Sequence, residues 1–212
     1  MNYFSILVWP GGGLIGMILW LLSVVMVAIS VEYFISIRRV NILPDDIRDQ
    51  VGEFFGNKQY REAIELTVND PSLLSYMVHA ALTEAANGYS AMERAMEEAS
   101  EERTTKLLRH IEWLNLLGNI GPMLGLLGTV WGMIQAFFKI VEKGGMPDPK
   151  ALAGSIGIAL VTTLLGLGVA IPALSVYSIM RSRIDTLTSE AMVVSQELIS
   201  NFRPGKKASA GS

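Results

Sequence analysis

The residues able to do chemistry are few, and they stand in unusual company. Two stretches, Trp113 to Phe138 and Ala151 to Met180, carry no Asp, Glu, Lys or Arg, yet they hold Thr129, Gln135, Thr162 and Thr163. A hydroxyl there donates and accepts hydrogen bonds without bringing a permanent charge into an apolar medium. Its plainest use is a bond back to a carbonyl of its own helix. Its other use is to hold water or a carboxyl group on an ion path, and in a homo-oligomer each threonine becomes a ring of hydroxyls. Neither stretch offers an acid, base or nucleophile beside them, so no catalytic residue and no enzymatic activity are expected. The chain has no cysteine, and its two histidines, His79 and His110, lie far apart, so neither a metal site nor a cofactor is expected.

The elements that position these threonines follow from hydropathy. Half of the 212 residues are hydrophobic and the mean hydropathy is +0.38, too apolar for an ordinary soluble domain of this size. Three charge-free runs, Gly11 to Val31, Trp113 to Phe138 and Ala151 to Met180, each reach the roughly 20 residues that cross a bilayer core. The first has no Lys or Arg before it and is too long for a signal-peptide core, so it reads as a retained span. Arg38 and Arg39 follow the first run, Lys106 and Arg109 precede the second, and Arg181 and Arg183 follow the third. That bias predicts an outside N-terminus and an inside C-terminus. Lys139, Lys143 and Lys150 in the short outer connection oppose it, partly balanced by Glu142 and Asp148.

The reading is therefore an all-α membrane protein in a lipid bilayer, with long helices extending into the cytoplasm. It divides into a first transmembrane helix (1–37), a cytoplasmic helical domain (38–112), a second transmembrane helix (113–138), a periplasmic loop (139–150), a third transmembrane helix (151–180), and a cytoplasmic helix end with a disordered tail (181–212). Residues 38 to 115 hold 14 acidic and 9 basic side chains, which gives no reason to expect nucleic-acid binding. Helix punctuation marks this block: Pro44 before Asp45 and Asp46, a capping Asp70 before Pro71, and a Ser90/Glu93 capping box. Three or four cytoplasmic helices are expected. The last begins near Ser90 and meets no breaker before Gly118, so it continues to Phe138 as a helix of roughly 70 Å, joining membrane to cytoplasm rigidly. Glu32, closing the first span, is expected at interfacial water, within reach of Arg38 or Arg39.

In the second span Gly118, Gly121, Gly125, Gly128 and Gly132 recur at intervals of three and four, on one helical face. In the third, Ser155, Ala159, Thr162, Thr163, Gly166 and Ala170 keep helical spacing ahead of Pro172. Small residues let helix backbones approach closely in lipid. Two such faces exceed what a three-helix monomer is expected to use, and so predict a homo-oligomer. Pro122 and Pro172 read as kinks.

GPMLGLLGTVWGMIQAF (121–137) and IGIALVTTLLGLGVAIPAL (156–174) resemble the two signature helices of the ExbB/TolQ/MotA proton-channel superfamily, in its ExbB/TolQ branch. The resemblance implies a homopentamer in the bacterial inner membrane, its pore lined by spans two and three. That pore encloses a single-span ExbD/TolR-like partner bearing a membrane aspartate, and a TonB/TolA-like energy transducer follows. It places the pore threonines at Thr129 and Thr163, with Thr162 beside them. The five glycines of span two, with Gly166 and Pro172, become packing residues of the pore. Proton flow, or Na⁺ flow, would then drive import or envelope maintenance. A flagellar-type stator, usually four-span with a larger cytoplasmic domain, and a non-conducting scaffold are the alternatives. In one place the chain departs from the pattern: Ile158 stands where ExbB and TolQ commonly carry glutamate, so the titrating group must come from the partner.

Overall fold

The computed structural model describes residues 13–142 and 149–203. Expectations about the uncharged first residues, the connection from Lys143 to Asp148 and the tail beyond Arg203 fall outside them. The described residues form helices α1 (Gly13–Ser36), α2 (Arg39–Ile42), α3 (Asp45–Gly56), α4 (Tyr60–Asn69), α5 (Leu73–Thr83), α6 (Tyr89–Glu142) and α7 (Pro149–Ile199), and contain no strand. Three of them, α1, α6 and α7, are long and apolar enough to cross a membrane. The fold is all-α with three candidate spans.

The chain forms two compact units, Met1–Tyr33 with Ile111–Ile179 and Phe34–His110 with Met180–Ser212. In the second, charged unit, helix ends follow local chemistry. Asp45 and Asp46 occupy the first turn of α3, where acids favour the helix dipole. The end of α3 is a Schellman motif: Gln59 N–H donates to Phe54 O (2.8 Å), Lys58 N–H to Phe55 O (3.2 Å), and Lys58 has φ +59°.

Two expected caps move. α5 starts from Ser72, whose Oγ accepts from Ser75 N–H at 3.2 Å, and not from Asp70. Asp70 instead accepts from the Ser72 N–H (3.1 Å), the Ser72 hydroxyl and the Ser75 hydroxyl (2.6 Å), bracing the turn across Pro71. The Ser90/Glu93 box is not used, because α6 begins at Tyr89. Gly88, at φ +93°, offers its carbonyl to Ala91 and Met92 N–H. Its freedom in the left-handed region allows the sharp turn after Ala85–Asn87.

The charged unit's interior is made of large side chains: Leu43, Val51, Leu74, Met77, Met92, Met96, Met180, Ile184 and Ile199 are at most 1% exposed. Phe55, Tyr60 and Phe202 cluster at ring separations of 5.1 to 6.1 Å. Arg39 ties the unit together through Asp45 and Glu190, both at 2.8 Å. Hydrogen bonds from its guanidinium, first to Glu190 and then to Asp45, raise its pKa further. Glu102 titrates below its ordinary value, because first Lys106 and then Tyr76 donate to it.

Candidate ion-path helices of the membrane unit

The membrane unit inverts that pattern. Its outward faces carry Trp20, Leu21, Met123, Leu126, Trp131, Phe137, Leu160, Leu164 and Ile171, all at least half exposed. An apolar surface of this extent suits lipid and not water.

Inside, α6 and α7 meet along a seam of small residues. A side-chain carbon added at Gly121 would lie 2.9 Å from Gly166 O, and one at Gly125 would lie 3.0 Å from both Thr162 O and Thr163 Cα. At Gly166 it would strike Gly121 O and approach Gly125 Cα at 3.1 Å. At these positions the neighbour is backbone. At Gly118, Gly128 and Gly132 it is a side chain: Leu174, Thr162 and Ala159 respectively. All five glycines of the stripe therefore pack within one chain, against α7, four of them against its small residues and Gly118 against Leu174. The oligomer argument drawn from those two faces fails, because each covers the other. Leu174, opposite Gly118, is a large residue that breaks the small-residue pattern of that face, so the spacing of small residues does not reveal it.

The three threonines have different surroundings. Thr162 is 1% exposed and donates to Ala159 O at 2.6 Å, with Gly125 O at 3.3 Å. It belongs to the seam. Thr163 is half-buried and donates to Gly125 O across the seam at 3.1 Å. Thr129 stands at the margin of the seam and donates to Leu126 O of its own helix at 2.7 Å. Its hydroxyl proton is used locally, which leaves the oxygen lone pairs as acceptors. Pro122 and Pro172 lie inside unbroken helices, with Pro172 on an exposed face.

A cleft of about 770 Å³ opens among the spans, lined by Ile18, Leu127, Trp131, Gln135, Ile158 and Thr162 among others. Gln135 is exposed, and the exposed Ile158 makes this wall apolar. α6 and α7 thus offer hydroxyl and amide groups but, between Trp113 and Phe138 and between Leu152 and Met180, no side chain that binds and releases a proton near neutral pH.

The MotA/TolQ/ExbB proton channel family matches residues 69–192. The chain is similar to the biopolymer transport protein ExbB of Xanthomonas campestris pv. campestris, 40% identical over 87 residues, which cover 41% of this chain and 34% of that one. It is similar to biopolymer transport protein exbB1 of Vibrio cholerae, 45% identical over 62 residues (29% and 27%), and to ExbB of Pseudomonas putida, 30% identical over 144 residues (63% and 43%). The match to the first of these spans about a third of that relative's length. A solved structure of C. jejuni MotAB aligns over 85% of this chain and 77% of its own, at 18% identity and a TM-score of 0.45. With its family match running from residue 69 to residue 192 of 212, the chain belongs to the MotA/TolQ/ExbB proton channel family.

Proposed function

We infer that the chain is the channel-forming subunit of an ion-driven motor in the bacterial inner membrane. It works as a homopentamer around a single-span ExbD/TolR-like partner bearing a membrane aspartate, with its N-terminus outside. The observation that carries this reading is chemical: α6 and α7 present hydroxyls in a charge-free span. A membrane potential supplies about 2.3 kcal/mol per elementary charge per 100 mV, and harvesting it needs a charge that moves or is neutralised in the field. This chain's second and third spans supply none, so the partner's carboxyl must be that charge. Thr129 and Thr163 donate their protons to carbonyls, so their oxygens are suited to accept from the protonated acid or from water beside it. The work driven is import or envelope maintenance, through a TonB/TolA-like transducer.

The test is co-reconstitution with the partner in liposomes, reading proton flux and, by native mass spectrometry, stoichiometry. Thr129→Val with Thr163→Val should leave assembly intact and reduce flux more than either change alone. Unchanged flux in the double variant would reject the role of the hydroxyls, and a stable monomer would reject the pentamer.

A further inference from the structure

A second polar feature lies at the edge of the charge-free span. Glu112 is the last carboxylate before the run that starts at Trp113. It accepts from Asn115 Nδ2 at 2.6 Å and from the Tyr177 hydroxyl of α7 at 3.4 Å. Asn119 Nδ2 in turn donates to Asn115 Oδ1 at 3.0 Å and to Asn115 O at 2.7 Å. Glu112 and Asn119 are exposed, and Asn115 is half-buried.

These bonds all run one way. Each amide donates toward the acid, so the carboxylate is the final acceptor, and Asn119 Oδ1 is left as the innermost acceptor. At 1.5 Å per residue the ladder reaches about 10 Å along α6 from Glu112 to Asn119. Between Asn119 and Thr129 α6 carries no further polar side chain. At about 100° per residue Thr129 lies about 15 Å beyond Asn119 and roughly 80° around α6 from it, so the ladder leads toward the level of the threonine assigned to the ion path without sharing its face. A solvated helix surface would need no inward-running series of amides in a span otherwise without polar side chains until Thr129.

We propose that Glu112 is the proton-releasing group at the cytoplasmic mouth of the path, with Asn115 and Asn119 holding the water that connects it to the pore. This rests on the channel reading above. A proton arriving on water beside Asn119 passes to the Glu112 carboxylate, giving the neutral acid. The acid then releases it to bulk water and returns to the carboxylate. The amides neither gain nor lose protons.

The complex reconstituted with its partner tests this. Glu112→Gln keeps an oxygen acceptor but cannot cycle a proton, and flux should fall roughly tenfold or more, a modest figure for loss of a positioned proton-transfer group. Glu112→Asp should restore most of it. With Glu112→Ala, flux should rise with the concentration of a membrane-impermeant sulfonate buffer on that side, whereas wild-type flux should not. Asn119→Leu, which leaves the acid in place, should also slow conduction, and it carries the test if Glu112→Gln fails to assemble. Wild-type flux from an assembled Glu112→Gln or Asn119→Leu complex overturns the proposal and leaves the channel reading standing. A wild-type complex that moves no protons overturns both.

Discussion

The two units solve the same packing problem with opposite residues. Among the described residues, nine of the twelve largest fully buried side chains, Met77, Met92, Met96 and Met180 among them, lie in the charged unit. The membrane unit contributes Leu19, Ile111 and Leu114 to that set, and its seam is glycine, alanine and threonine apart from Leu174. In water, burying large apolar side chains is the main driving force, so the charged unit places them inside. In lipid that force is absent between helices, and close backbone contact with interhelical hydrogen bonds replaces it. Many of the membrane unit's large residues consequently face outward.

The sharpest way to break this contrast is Gly125→Leu. The neighbours there are Thr162 O and Thr163 Cα, which cannot yield as a side chain can, so the cost should exceed about 3 kcal/mol, the upper end for overpacking. Loss of the folded α6–α7 pair, followed by tryptophan fluorescence in detergent, is the expected outcome. Gly168→Ala, which meets nothing within 4 Å, should leave the melting temperature unchanged or higher.

In the charged unit the reverse change should hurt. Met77→Ala removes a fully buried side chain and should cost about 2 to 5 kcal/mol, read as a lower thermal midpoint. If Met77→Ala were neutral and Gly125→Leu tolerated, the contrast would be wrong. A smaller effect belongs to Asp70→Ala, which strips the Ser72 and Ser75 bonds from the start of α5 and should cost about 1 kcal/mol, as lost caps do. Hydrogen exchange in α5 would rise before that in α3.

Smallest is a gain. Lys58 holds φ +59° at the position a Schellman motif gives to glycine. Lys58→Gly should stabilise by up to about 1 kcal/mol, the left-handed strain removed less the added freedom of the unfolded chain. A lower midpoint in that variant would mean that Lys58 makes a contact worth more than its strain.

The number of spans, the unbroken run from the charged block through the second span and the glycine face were legible in the sequence, because each depends on local periodicity and on missing charges. The helix starts near Asp70 and Ser90 were displaced by one or two residues. Several hydroxyls and a glycine compete there, and sequence does not reveal which backbone torsion wins. The partner of the glycine face was not legible either. A stripe of small residues says that something comes close, but not whether it is the next helix of the same chain or a neighbouring copy. Thr162 and Thr163, adjacent in sequence, differ for a related reason: a turn of about 100° between them puts one in the seam and the other at its margin.

The seam also determines how its own lesions could be repaired by inheritance. An alanine at Gly132 collides with the methyl of Ala159, and one at Gly118 with the Leu174 side chain. A second mutation that shortens the colliding residue can therefore restore the fit, and such pairs should surface as intragenic suppressors. At Gly121 and Gly125 the obstacle is main chain, which no codon change removes. Those two glycines should resist reversion by any route except restoration of glycine itself.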